Sequence, residues 1–236
     1  MDVNGAKAIV TGAAAGIGRG ISEVLGQHGA HVVVADVDVE TGRRTAAEIG
    51  GTFVQVDMTR DSDVRRLFEE AQTELGGIDI LVNNAGGVDD PNYPLAPVEK
   101  WGSVLDLNLR SVMLATQMAL ERIESGVVVA VASVAALGDA PHGAPEYAAA
   151  KAAVVRLTSA LQTQGGVRLA CVCPDSTRTP AMERTLASKP SDFAPGPMLQ
   201  PTDVGEAVLD LIRDDTAAGR VVVVRAGEPT RVIANY

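Results

Sequence analysis

Short runs of Val, Ile and Ala alternate with amphipathic stretches along the chain. The apolar runs are Ala6–Val10, His31–Ala35, Thr52–Val56, Ile78–Val82, Val127–Ala132, Val167–Cys173 and Arg220–Arg225. Each is continuous rather than alternating in polarity, which is the pattern of a strand buried on both faces of a parallel sheet. Helix-like spacing fills the gaps at Gly16–Gln27, Glu40–Ile49, Ser62–Leu75, Val98–Arg122, Glu146–Leu161 and Thr202–Arg213. Strand and helix taking turns predict right-handed βαβ crossovers, hence an α/β fold with one doubly wound parallel sheet of about seven strands and helices on both faces. The long irregular stretch Ser188–Pro201 holds four prolines. Within a single domain spanning 1–236, it reads as a lid or binding loop rather than a boundary.

Composition narrows the class. Hydrophobic residues make up 46% of the 236 but aromatics only 3%, so Val, Ala, Leu and Ile must fill the core. Thirty acidic residues against twenty basic ones give a net charge of −10. That balance argues against nucleic acid or an anionic membrane as a partner, since both need basic patches, and it suits a cytoplasmic protein. No apolar run approaches the ~20 residues of a membrane span. Asp2 stands where a targeting peptide would be basic, so no leader is expected. Two cysteines exclude a disulfide framework, and Cys171 and Cys173 read as buried reduced thiols in one strand. His28, His31 and His142 lack ligand spacing, so no metal is expected; Asp89-Asp90 reads as a solvated loop.

The first strand runs into Thr11-Gly12-Ala13-Ala14-Ala15-Gly16-Ile17-Gly18 and then a helix. Glycines let the turn close tightly and let backbone approach a pyrophosphate, while the helix N-terminus supplies free N–H groups. This Rossmann-type arrangement predicts dinucleotide binding. Asp36 ends the second strand eighteen residues after Gly18, placed to bond both hydroxyls of an adenosine ribose and to repel a 2′-phosphate. Neither Ala15 nor Val37 offers a cation to that phosphate, so NAD is expected over NADP. Asp57 follows the third strand in the same way and could accept from the adenine amino group. Tyr147 and Lys151, four apart, share one helical face. A phenol serves as a base near neutral pH only if its anion is stabilised, which a nearby ammonium can do. Alone, that pair also reads as an exposed tyrosine and a solvated lysine.

Taken together, the Thr11–Gly18 turn, Asp57, Asn83-Asn84-Ala85-Gly86, Asn108, Ser133, Tyr147, Lys151 and Pro174 through Thr179 make the whole chain resemble a classical short-chain dehydrogenase/reductase. The resemblance implies an NAD-dependent enzyme interconverting a secondary alcohol and a ketone. It casts Tyr147 as acid/base, Ser133 as the group polarising the substrate oxygen, and Lys151 as binding the nicotinamide ribose and lowering the tyrosine pKa. Asn108 would hold a water in a proton relay from Lys151. Cofactor contacts are implied at Gly12, Gly16, Ile17, Gly18, Asp36, Asp57, Met58, Asn84, Ala85, Gly86, Tyr147, Lys151, Pro174, Thr177 and Thr179. Local readings stand beside these: Ser133 as a strand cap, Asn108 bonded to helix backbone, Thr179 as a helix cap. A homodimer or homotetramer with a small hydroxyl or carbonyl substrate is also implied.

The chain departs from the family pattern in places. Ser133 and Tyr147 are fourteen apart, one more than usual, and Pro174-Asp175 replaces Pro-Gly. The stretches Lys151–Val167 and Arg122–Val127 are short, and the common Val-Asp-Gly-Gly ending is missing. Ala135, Leu137, His142, Met182 and the apolar residues Phe193, Pro195, Pro197, Met198 and Leu199 of the lid candidate suggest a hydrophobic alcohol. A sugar or cyclic-diol dehydrogenase and a non-catalytic NAD(H) sensor are the alternatives.

Overall fold

The computed structural model describes residues 1–88, 93–138, 141–188 and 195–233. Seven parallel strands form one sheet: β1 (Lys7–Thr11), β2 (His31–Asp36), β3 (Thr52–Gln55), β4 (Ile80–Asn83), β5 (Ser125–Val131), β7 (Gly166–Pro174) and β8 (Val221–Val224). The order β3-β2-β1-β4-β5-β7-β8 reverses direction between β1 and β4, the topological switch point where open α/β sheets bind ligands. Two short strands were not legible in the sequence. These are β6 (Thr163–Gln164), antiparallel to β7, and β9 (Arg231–Ile233), antiparallel to β8. Both are mostly exposed, so neither carries the apolar run that marks the buried strands.

The pleat sorts each strand between two cores. Ala8 and Val10 of β1 and Val127, Val129 and Val131 of β5 pack on one face with Ile21, Leu25, Val208 and Ile212. Those four come from α1 (Gly16–Gln27) and α8 (Pro201–Arg213). Ile9, Val33, Leu81 and Val128 turn the other way, onto Leu67 and Phe68 of α3 (Asp61–Leu75) and Ala115 and Met118 of α5 (Ser111–Arg122). A third cluster joins Cys171, Cys173, Ala130 and Val223 to Val154 and Val155 of α6 (Pro145–Leu161). Helices therefore cover both faces, as a wholly apolar strand requires. The remaining helices are α2 (Val39–Ile49), α4 (Val98–Leu105) and α7 (Pro180–Ala187).

The expected single helix Val98–Arg122 is α4 and α5 joined by a five-residue π-helical turn, Asp106–Arg110. Such a turn inserts one residue and re-aims the side chains on it, and it is common at functional sites. Thr179 caps α7, in keeping with its local reading, and Pro180 takes a first-turn position; the helix buries nothing, so no apolar stripe sets its extent.

The contact between α1 and α8 fixes the start of α1. A Cβ on Gly20 would stand 2.6 Å from Pro201 backbone oxygen, and one on Gly205 would stand 2.7 Å from Val24 Cγ2. The backbones meet because neither position has a side chain. Gly26, in the same helix, would bring its Cβ no closer than 3.5 Å to Ile49. Gly20→Ala is therefore expected to cost about 1–3 kcal/mol through overpacking. Gly26→Ala should instead gain up to ~1 kcal/mol from helix propensity. Thermal unfolding of the two variants checks this: midpoints should move in opposite directions, by roughly 2–4 °C per kcal/mol.

Candidate active site

The carboxyl ends of β1, β2 and β4 build the first half of a cleft. After β1 the chain turns at Gly12, in the left-handed region at φ 63°. A Cβ on Gly18 would collide with the Gly12 carbonyl and sit 2.5 Å from Asn84 Nδ2. The turn is thus closed down on the start of α1. Ala15 precedes that helix without a side-chain cap, leaving its first N–H groups for an anion. Asn84 Nδ2 donates to the carbonyls of Thr11 (2.9 Å) and Gly12 (3.0 Å). Thr11 Oγ1 accepts from the N–H groups of Asn84 and Ala85, each at 3.0 Å. Thr11 was passed over as an individual site residue; its signal is a polar side chain ending an otherwise apolar strand.

Asp36 stands beside this turn at the tip of β2. Its Oδ2 accepts from Ala14 N–H at 2.9 Å and its Oδ1 from Asp38 N–H at 3.0 Å. The carboxylate is half-buried, held by backbone alone with no cation bonded to it. Val37 next to it is exposed and apolar. Asp57 is more locally engaged. It accepts from the Thr59 N–H (3.0 Å) and hydroxyl (2.7 Å), and those bonds hold its carboxyl below the usual range. Met58 is buried in the core with Val64 and Leu67, so its side chain takes no part in the cleft surface.

The second half is built by β5, the π turn, α6 and the segment after β7. Asn108 lies on the π turn, fully buried. Its Nδ2 donates to Gly87 O (2.7 Å) and Val104 O (2.9 Å), and its Oδ1 accepts from Gly87 N–H (2.9 Å). The local reading of Asn108 therefore holds for its side chain. Lys151 is also fully buried, with Nζ donating to Val131 O at 2.9 Å. A Cβ on Gly86 would stand 2.7 Å from Asn108 Oδ1 and 2.9 Å from Lys151 Nζ. Gly86, Asn108 and Lys151 thus meet at one point, packed so closely that any side chain at 86 would collide with them.

Tyr147 sits in the first turn of α6, with Lys151 Nζ 5.7 Å from its ring centre. Burial pushes the phenol above its ordinary pKa, and a hydrogen bond with the Ser133 side chain only partly opposes this. Burial also lowers the Lys151 ammonium to about 8. The expectation that lysine depresses the phenol is corrected for the protein alone: desolvation of the phenol outweighs the stabilisation its neighbours give. Ser133 Oγ also accepts from Ala135 N–H at 3.1 Å, capping a 3₁₀ turn at Val134–Ala136, so its local role coexists with its place beside the phenol. Cys171 and Cys173 are buried free thiols, as expected.

Pro174 ends β7, and the following segment crosses to the phosphate turn. Thr177 is buried and bridges to Leu199. Thr179 Oγ1 accepts from Met182 N–H at 3.1 Å, capping α7, while its Cγ2 would stand 3.1 Å from a Cβ on Gly16. Asp175, in place of the family glycine, accepts from Arg225 Nε at 3.2 Å across to the end of β8. Arg225 went unnoticed in the sequence; a cation closing the last parallel strand was its signal. Of the lid candidate, residues 189–194, with Phe193, lie outside the described residues, as does Asp89-Asp90. Among the described residues no three His, Cys, Asp or Glu cluster as metal ligands, and no helix is long and apolar enough to cross a membrane.

The glycine cradle, the uncapped helix start, a carboxylate at the β2 tip and a buried ammonium at the far end fit an extended dinucleotide laid across the strand ends. The short chain dehydrogenase family profile matches residues 6–190. The chain is 35% identical to L-fucose dehydrogenase of Bos taurus over 93% of its length and 87% of that protein's. It is 30% identical to 15-hydroxyprostaglandin dehydrogenase [NAD(+)] of Rattus norvegicus, covering 97% and 94%. A short chain dehydrogenase from Burkholderia cenocepacia J2315, solved in complex with NADP, superposes with a TM-score of 0.85 at 26% identity over 96% and 99% of the two chains. The chain belongs to the short-chain dehydrogenase family, and it is an oxidoreductase built on that family's nucleotide-binding fold.

Proposed function

We propose that this protein oxidises a secondary alcohol to a ketone with NAD, and runs the reverse, with Tyr147 as the acid/base. The observation that carries the reading is the pairing of a half-buried phenol bonded to Ser133 with a fully buried ammonium on the same helix face. Tyr147 Oη takes the hydroxyl proton of the alcohol. Ser133 holds the same oxygen and polarises it. Bound NAD supplies the acceptor for the hydride leaving the carbinol carbon. Lys151 keeps a positive charge beneath the phenol, and with its burial-lowered pKa of about 8 it is still mainly charged near neutral pH. The bare main chain of Gly86 packs close to its Nζ, and the nicotinamide ribose is the group expected to meet that ammonium. The Asn108 side chain is spent on Gly87 and Val104, so its part in a proton relay falls to its main-chain carbonyl.

The choice of NAD rests on Asp36, whose negative charge at the β2 tip opposes a 2′-phosphate with no cation at Ala15 or Val37 to offset it. Thr177 and Thr179 would meet the carboxamide, with Ile17, Asn84 and Ala85 lining the dinucleotide. A homodimer or homotetramer is the expected assembly. A sensor without turnover is disfavoured, because Ser133, Tyr147 and Lys151 are all retained and grouped.

Tyr147→Phe should lower turnover of a secondary alcohol on the order of 10²-fold or more, the scale of lost general acid–base catalysis, while NADH still binds. Undiminished NADH formation by the variant would remove the tyrosine from its assigned role. Because the phenolate is the active base and burial raises the phenol pKa, kcat/KM for oxidation should climb with pH above neutrality. Lys151→Met should displace that climb to higher pH. A profile flat from pH 6 to 10 for both proteins contradicts the assignment. Asp36→Ala should improve kcat/KM with NADP relative to NAD by roughly tenfold or more, the loss of about 1.4 kcal/mol of discrimination. An unchanged cofactor ratio would show that the carboxylate does not read the ribose.

A further inference from the structure

We propose that His142 is a specificity-determining residue that binds a second substrate oxygen, one carbon from the reacting carbinol, and so selects cyclic vicinal diols over simple alcohols. This rests on the proposed alcohol dehydrogenase reading and deepens it.

The placement comes from the loop before α6. The His142 ring lies 6.3 Å from the Tyr147 ring, centre to centre, and is inclined to it by only 29°. It flanks the phenol side by side. Its Nδ1 is engaged with the main chain of Ala144, 3.0 Å from the N–H and 3.1 Å from the carbonyl, within its own loop. In one tautomer Nδ1 accepts from that N–H and Nε2 carries the proton; in the other Nδ1 donates to that carbonyl and Nε2 accepts. Among the described residues Nε2 has no hydrogen-bond partner, and the residue is exposed. The ring is therefore held by one nitrogen and leaves the other to bond a substrate hydroxyl, which can both give and take a hydrogen bond.

The surroundings make that nitrogen selective. Ala135, Ala136 and Leu137 follow Ser133 without a polar side chain, and Pro141, Gly143 and Ala144 flank the histidine itself. A substrate oxygen held at the Tyr147 phenol places a neighbouring hydroxyl beside the adjacent ring, whereas a hydroxyl farther along the molecule moves out of reach. A monofunctional alcohol gains nothing from this nitrogen. A cyclic vicinal diol gains one directed hydrogen bond from a side chain already positioned by its own backbone.

The test compares NADH formation from cyclohexanol and from cis- and trans-1,2-cyclohexanediol by the intact protein, His142→Phe and His142→Gln. Wild type should favour one of the diols. In His142→Phe, which keeps a flat ring but no donor, the ratio of diol to cyclohexanol kcat/KM should fall about tenfold, the scale of one hydrogen bond, with the loss in KM rather than kcat. Gln carries an N–H donor and should recover part of the preference. A wild type that oxidises cyclohexanol as well as either diol, or variants that leave the ratio unchanged, overturn the role of His142 while the alcohol dehydrogenase reading stands. Failure of wild type to oxidise any of the three, with NADH binding intact, overturns both.

Discussion

A single ammonium sealed at the carboxyl end of the central strand β5 organises the reacting half of this molecule. Moving such a charge out of water costs several kcal/mol, and one carbonyl, that of Val131, returns only part of it. The residual strain appears as the lowered pKa of Lys151, near 8. Nothing in the core benefits from that burden, since an apolar side chain would pack there at lower cost. The charge earns its place only through what it lies beside: the Tyr147 ring and the bare main chain of Gly86. Much of the neighbouring geometry follows from that close approach of backbone to ammonium. The π turn carries Asn108 to the Gly87 backbone, which fixes the main chain at 86 and 87 over the ammonium.

The departures from the family pattern are settled locally. An acid after Pro174 would be unbalanced beside a nicotinamide site, yet Asp175 is bonded to Arg225 from the adjoining strand end. In both shortened segments a helix is followed closely by a strand. Between α5 and β5 only Ile123 and Glu124 remain, with Ile123 buried. After α6 the chain reverses through Gln162 at φ 49° and Gly165 at φ 59°, and the resulting β6 pairs back on β7.

Most of the fold was legible because a strand buried on both faces leaves an unmistakable apolar run, and Val127–Ala132 and Val167–Cys173 are such runs. The elements that escaped, β6 and β9, bury little or nothing, so no pattern of burial marks them. In the site, spacing alone placed Tyr147 with Lys151 and Asp36 near the glycine turn. Spacing could not foresee that Asn108 would spend its amide on backbone, that Met58 would face the core, or that Asp175 would find Arg225. Those outcomes depend on which atoms tertiary packing brings within bonding distance. The direction of the Tyr147 shift was missed for a related reason: an ammonium one turn away is visible in the sequence, whereas the desolvation opposing it is not.

The glycine-to-backbone contact between α1 and α8 has a consequence for how the chain is made. Residues 20 and 205 lie far apart in sequence, so the closure joining them is among the entropically slow steps of assembly. Until α8 leaves the ribosome, Ile21, Val24 and Leu25 can pack only on the sheet side, against β1 and β2. The nascent polypeptide therefore carries the outer side of α1 uncovered for most of its synthesis, a window in which chaperones, rather than the native partner, are what can shield it.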